Sequence, residues 1–227
     1  FGGLADLGAA LLRTPLDPGI AFADDPLRML RLFRFVSTLG FGADGEAIAA
    51  VYSMRERLAI VSGERVRDEL DKLLQGEHVE EGLWGLVESG LAGEFLPEMD
   101  ALRLQQDPIH QHKDVLAHTV AVVGRCPPDR ILRLAALFHD VGKPATRSFG
   151  PEGVTFHHHE VVGARMTRAR MKELRYARAD IDQVAGLVYL HLRPHTLKMG
   201  WTDRAVRRYV RDAGPLLDRL NTLVRCD

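Results

Sequence analysis

The decapeptide AALFHDVGKP, residues 135–144, limits the folds open to this chain more than any other stretch. Ala135 to Phe138 read as the end of a buried helix. The run then delivers two adjacent ionisable residues, His139 and Asp140, before Gly142, Lys143 and Pro144 stop it. Burying an imidazole or a carboxylate is costly unless it is paired, hydrogen-bonded or bound to a metal. The fold must therefore bring partners to this helix end from elsewhere in the chain. Candidates sit on other apolar stretches: His118 in VLAHTVAVV, His157, His158 and His159 in FHHHEVVGA, His191 and His195 in LVYLHLRPH, and Asp227 after LLDRLNTLVRC. Singly, each is more simply a satisfied core histidine, a helix cap or a chain end. Jointly, His and Asp side chains suit a divalent cation: Mn, Fe, Co, Ni or Zn, or Mg.

Apolar residues elsewhere recur at helical spacing, as in Val66, Leu70, Leu73 and Leu74. In DDPLRMLRLFRFVSTLGFG, Asp25 can cap, Pro26 suits the first turn and Gly40 suits the stop, which predicts a helix of about 14 residues. Short helices are expected over 45–57, 63–75, 78–90 and 91–103, then over 112–124, 129–141, 158–175, 179–192, 202–213 and 215–226. Residues 4–12 read as a short helix, 14–19 as a turn, and TRSFGPEGVTF, 146–156, as a hairpin excursion. The expected class is all-α, a helical neck and body followed by a second helical domain, with a boundary in 102–110. At 46% hydrophobic residues the 227-residue chain can bury a real core. It has no apolar run near the ~18 residues of a spanning helix, no leader pattern and only two cysteines. A reducing, cytoplasmic setting is expected. A start at Phe1 and an end at Asp227 suggest part of a longer protein.

His118, then His139-Asp140 followed by Val-Gly-Lys, then a late Asp, resembles the HD superfamily of metal-dependent phosphohydrolases. The resemblance implies an all-helical domain with metal ligands at His118, His139, Asp140 and Asp227. His159 and His191 stand where some members add two histidines and hold a second ion. It implies hydrolysis of phosphomonoesters or cyclic phosphodiesters centred on His139 and Asp140. There a divalent cation lowers the pKa of its water and polarises a phosphoryl oxygen. A carboxylate can take the proton. Lys143 either helps bind phosphate or stands as a surface lysine beside a helix end.

In the first half, Arg28, Arg31 and Arg34 recur every three residues, a slanting stripe on one helix. They suit recognition of phosphate or base edges, or an ion-pair cluster with Asp24, Asp25 and Glu64. Taken together, FGGLADL, ADDPLRMLRLFRF, STLGF and ERVRDEL resemble the polymerase-β-type tRNA nucleotidyltransferase and poly(A) polymerase family of bacteria, many of which carry an HD domain after the neck. The resemblance implies that 1–24 ends a nucleotidyltransferase head, 25–105 is the neck and body, and 106–227 is the HD domain. Asp24, where the family usually has Glu, with Asp25, Arg28 and Arg31, would then read incoming CTP or ATP. Carboxylates accept from exocyclic amino groups, and arginine donates to ring nitrogens and carbonyls. Glu64 and Arg65 would tie the neck helices. The partners implied are tRNA or other RNA 3′ ends, and the reaction is CCA addition. Residues 1–25 hold no spaced carboxylate pair like that of the family's polymerising site, so the chain alone is not expected to add nucleotides.

The net charge of −1 hides an asymmetry: residues 41–100 carry −9 and residues 161–211 carry +8. The basic segment could meet a polyanion through Arg165, Arg168, Arg170, Arg207 and Arg208, or could be a solvated helix face. Two further readings are an HD phosphohydrolase acting on small nucleotides, with an inert helical extension, and a non-catalytic RNA-binding module with a structural metal.

Overall fold

The computed structural model describes residues 2–104, 114–150, 153–194 and 200–227. The chain divides into two units, Phe1–Asp100 and Ala101–Asp227, both built almost wholly of helices.

The first unit runs α1 (Gly3–Gly8), β1 (Leu11–Leu12), α2 (Pro18–Asp24), α3 (Leu27–Leu39), β2 (Gly42–Ala43), α4 (Gly45–Met54), α5 (Gly63–Leu74) and α6 (Val79–Glu88); α7 (Pro97–Ala101) closes it. At its centre α3 buries Met29, Leu30, Leu32 and Phe33. As the Asp-Pro pair predicts, Asp25 Oδ1 accepts the Leu27 amide at 3.2 Å and Pro26 opens the helix. α6 approaches α3 closely because it carries Gly82 and Gly85 on that side. A Cβ at Gly85 would lie 2.3 Å from the Phe33 ring, inside contact distance.

Three expectations are corrected here. The expected 14–19 turn holds only through Asp17, with a bend at 15–16, because Pro18 and Gly19 already open α2: Asp17 accepts the Ile20 amide at 3.1 Å and Pro18 takes the first turn, the same chemistry that begins α3. The 4–12 helix stops at Gly8, and Leu11–Leu12 instead pairs in parallel with Gly42–Ala43. Residues 91–103 do not form one helix. A 3-10 turn covers Leu91–Glu94, and Pro97, which lacks an amide hydrogen, starts a separate short helix.

The second unit comprises α8 (Val115–Arg125), α9 (Arg130–Phe138), α10 (Lys143–Thr146), a hairpin of β3 (Ser148–Gly150) and β4 (Gly153–Thr155), α11 (His159–Glu173), α12 (Arg178–Leu190), α13 (Asp203–Ala213) and α14 (Leu217–Cys226). α9 is the hub. Asp129 caps it through the Leu132 amide at 2.9 Å, and Ile131 to Phe138 are all buried. The hairpin falls where the sequence places it, although its tip, Pro151-Glu152, lies outside the described residues, as do His195 and the expected 105/106 boundary.

Candidate metal centre

Helix ends assemble the site. His139 and Asp140 follow the last turn of α9, His191 follows α12, His159 opens α11, and Asp227 follows α14, while His118 projects from within α8. Ending a helix at a polar residue lets its apolar turns stay in the core while the terminal side chain leaves the helical stripe. The close approach of α11 depends on Gly142. A Cβ there would lie 2.1 Å from the His159 carbonyl oxygen and 2.7 Å from the Gly163 nitrogen. The Val-Gly-Lys that follows His-Asp therefore has a steric reason, since any other side chain would push His159 away from Asp140.

Three of the four histidines are fixed by one repeated device. The Nδ1 atoms of His139, His159 and His191 lie 2.7, 2.8 and 2.6 Å from the carbonyl oxygens of Ala136, Phe156 and Val188, each three residues earlier. A ring that donates from Nδ1 turns its Nε2 lone pair toward the site, the arrangement a metal-ligating imidazole needs. The fourth, His118, meets Asp227 Oδ1 through Nε2 at 2.9 Å and lies 3.4 Å from His139 Nε2. Asp140 Oδ2 receives the Lys143 ammonium at 2.6 Å and lies 3.3 Å from His139 Nε2, while Oδ1 lies 3.4 Å from His159 Nε2.

Without a cation the electrostatics are strained. Burial alone would depress the pKa of His139, yet the adjacent Asp140 and Asp227 carboxylates push it up to about 10. Burial would raise Asp140, but His139, His159 and Lys143 hold it well below the usual carboxylate range. Asp227 is likewise held low against its burial by hydrogen bonds from His118 and His139. His191 goes the other way: burial and the neighbouring His139 charge take it down to about 3, so it stays neutral with a lone pair to offer. Among the described residues the Nε2 atoms of His159 and His191 are buried without a hydrogen-bond partner. Orphaned imidazole nitrogens beside the Asp140 carboxylate fit a divalent cation. Two groups of ligand atoms each lie within 4.8 Å of one another: His118, His139 and Asp227, and Asp140, His159 and His191.

All six ligands expected from the sequence thus converge. His157 and His158 remain exposed. The backbone carbonyls that orient the rings were invisible at the sequence level, although each lies at a fixed spacing of three before its histidine. In the first unit, Asp24 pairs with Arg28 at 2.9 Å, and Asp25 pairs with Arg65 at 3.1 Å and Arg31 at 3.9 Å. Arg31 also reaches buried Glu69 at 3.1 Å, and Arg34 meets the same carboxylate at 2.9 Å. Asp25 and Arg31 therefore share an ion-pair network anchored by Glu69, which the sequence reading missed, while Asp24 and Arg28 form a separate pair. Of the basic residues in 161–211, Arg168 pairs with Asp182 and Arg170 with Glu173, whereas Arg165, Arg207 and Arg208 are exposed.

The fold and site define a helical protein with a buried His/Asp cluster of the HD type that could hold a divalent metal. Residues 114–226 match the HD domain, and residues 40–103 match the family described as probable RNA and SrmB-binding site of polymerase A. The A-adding tRNA nucleotidyltransferase of Deinococcus radiodurans is 34% identical across the whole chain and 54% of its own length. The CC-adding tRNA nucleotidyltransferase of Thermus thermophilus is 37% identical over 89% of this chain and 49% of its own. A crystal structure of the Bacillus stearothermophilus CCA-adding enzyme in complex with CTP shares the fold, with a TM-score of 0.62 at 20% identity over 100% of this chain and 52% of that one. The chain belongs to the bacterial tRNA nucleotidyltransferase and poly(A) polymerase family and carries that family's HD domain. It spans about half the length of the curated relatives it matches. No described helix is long and apolar enough to cross a membrane.

Proposed function

We propose that the protein acts at tRNA 3′ ends in the cytoplasm, within an enzyme that adds nucleotides from CTP or ATP, and that its HD domain hydrolyses phosphoesters there. In this reading residues 1–24 end a nucleotidyltransferase head and 25–105 form the neck and body, with Asp24, Asp25, Arg28 and Arg31 reading the nucleotide. Residues 106–227 form the hydrolase. The names of the similar proteins support the tRNA part, and the exposed edges of the Asp24–Arg28 pair suit base-edge recognition.

The observation that carries the hydrolase reading is the pair of buried, partnerless Nε2 atoms of His159 and His191 beside Asp140. His118, His139, Asp140, His159, His191 and Asp227 would hold one or two divalent ions, with Mg, Mn, Ni, Co, Fe or Zn all compatible with the donor set. A bound ion supplies Lewis acidity toward a phosphoryl oxygen and acidifies water. The chain's own groups do the rest. Asp140, held ionised by Lys143 and the histidines, contributes fixed negative charge rather than carrying a proton. Lys143, partly exposed, orients Asp140 and has N–H bonds left for a substrate phosphate.

The test is hydrolysis of 2′,3′-cyclic nucleotides and 3′-phosphorylated RNA by the full chain, with each metal added in turn. Activity should vanish with a chelator and in Asp140→Asn. Absence of turnover with every metal and both substrates would overturn the hydrolase reading.

A further inference from the structure

Away from the metal centre, α13 gathers charge that the rest of the unit does not neutralise. Arg204, Arg207, Arg208 and Arg211 fall at i, i+3, i+4 and i+7, so one helix face presents four exposed guanidiniums. Arg211 leans on its neighbour Asp212 at 3.3 Å. Arg204, Arg207 and Arg208 make no ion pair among the described residues. By contrast Arg168, Arg170 and Arg193 each have an acidic partner, Asp182, Glu173 and Asp212. Mutually repulsive cations aligned on one face, three of them without an ion pair among the described residues while Asp212 is taken up by Arg193 and Arg211, mark a surface that takes an anion.

An aromatic cleft adjoins the stripe. Trp201 packs edge-on against Tyr209, with ring centroids 5.2 Å apart. With Arg193, Ala205, Arg208 and Asp212 they line a cleft of about 510 Å³. Arg208 also lines the neighbouring depression, about 580 Å³, that holds Arg204, Arg207 and Arg211. Cation and aromatic surface therefore alternate across a single side chain. The stripe rises about 10 Å along the helix, roughly three steps of a stacked strand.

We propose that this face binds single-stranded RNA, with successive phosphates on Arg204, Arg207, Arg208 and Arg211 and a base against Trp201 in the cleft. The proposal rests on the reading that the chain handles RNA ends, and it shifts the contact from the ion-paired arginines of α11 to α13. Phosphate contacts and a stacking platform side by side are what an unpaired strand needs. A duplex keeps its bases stacked inside, and an acidic peptide has no use for the aromatic wall.

The experiment is fluorescence anisotropy of a labelled single-stranded oligoribonucleotide with the full chain, across a salt series. The triple variant Arg204→Gln/Arg207→Gln/Arg208→Gln should bind at least tenfold more weakly. Its slope of log affinity against log salt should be shallower by about 2, at ~0.7 per lost phosphate contact. Trp201→Ala should weaken binding about tenfold and Trp201→Phe much less. Far-ultraviolet circular dichroism checks that each variant keeps its helices. If the wild-type chain binds RNA and these variants bind it equally well, the α13 site is wrong while the RNA reading stands. If the wild-type chain binds no RNA, both fall. If duplex RNA or polyglutamate competes as well as the single strand does, the base-stacking assignment is overturned.

Discussion

Arg219 on α14 donates two hydrogen bonds to Asp129 Oδ2, at 3.0 and 2.9 Å, and a third to Gln183 Oε1 on α12 at 3.1 Å. Asp129 is the cap of α9. One guanidinium thus ties together three helices whose C-terminal ends carry His139-Asp140, His191 and Asp227. The clamp sits eight to eleven residues from those ligands, about 12–17 Å along the helices, so it sets their relative height without touching the site. Asp129→Asn keeps a capping oxygen but loses the charged partner. It should lower Tm by a few degrees and loosen ion binding. Asp129 is partly exposed. Its burial would raise its pKa, yet the Arg219 and backbone hydrogen bonds hold it below the ordinary value. A depressed carboxylate stabilises the fold above its unfolded pKa of about 3.9, and that contribution is lost as pH falls through the folded value. Between pH 5 and pH 3, Tm should therefore drop further in the wild type than in Asp129→Asn; equal drops would remove the clamp's ionic role.

Gly142→Ala should damage the centre from the outside. Its Cβ would meet the His159 carbonyl at 2.1 Å and the Gly163 nitrogen at 2.7 Å, and backbone on both sides cannot rotate away as a side chain could. Overpacking of this kind costs about 1–3 kcal/mol, which corresponds to a Tm loss of roughly 2–12 °C at this size. The displaced group is His159, so affinity for added Mn²⁺ should fall even at temperatures where circular dichroism still reports the folded chain. An unchanged Mn²⁺ isotherm would show that α11 can move without disturbing the ligands.

The convergence of the six His and Asp side chains was legible because most of them interrupt or end an apolar run, as His139-Asp140 does at the end of AALF. Side-chain type and apolar context are both local, so the sequence carries them. The start of α2 was legible in principle too: Asp17-Pro18 repeats the Asp25-Pro26 signal, but the short, Gly-containing segment reads first as a turn. Pairings that span the chain were not legible. Arg31 and Glu69 are 38 residues apart, and Arg219 and Asp129 are 90 apart. Nothing local distinguishes an arginine that will find a buried carboxylate from one that will face water. The same ignorance put Arg168 beside Arg207 and Arg208 as one basic group, from which its pairing with Asp182 on α12 separates it, while Arg170 is separated by a local pair with Glu173 three residues on.

Glu69 should prove important to the first unit. Its carboxylate is buried on α5 between Arg31 and Arg34 of α3, with Lys72 at 3.9 Å. Removing one member of a buried ion pair typically costs about 3–5 kcal/mol because the other charge is stranded. Here Arg31 reaches solvent and can turn outward, so about 2 kcal/mol is expected for Glu69→Ala. By comparison Asp24→Ala should cost under ~0.5 kcal/mol, since Asp24 is largely exposed and holds only the surface pair with Arg28. Urea denaturation of the two variants separates these cases, and equal midpoints would show that Glu69 is no anchor.

The six ligands divide into two triads, His118, His139 and Asp227 on one side and Asp140, His159 and His191 on the other. Each triad offers both charge and at least one imidazole whose Nδ1 is already committed to a backbone carbonyl, and the two meet where His139 Nε2 lies 3.3 Å from Asp140 Oδ2. Equilibrium dialysis against Mn²⁺ or Ni²⁺ should therefore load about two ions per chain. His191→Ala should remove one of them and leave the other, because His191 serves only the second triad. Asp227→Ala should remove the ion of the first triad and leave that of the second. His191 is buried and its Nδ1 meets the Val188 carbonyl, so His191→Ala should also lower the Tm of the metal-free chain, and the ion count is read at temperatures where the variant is folded. If His191→Ala still loads as many ions as the wild type, the second triad is not a binding site and a single ion shared among all six side chains becomes the correct description.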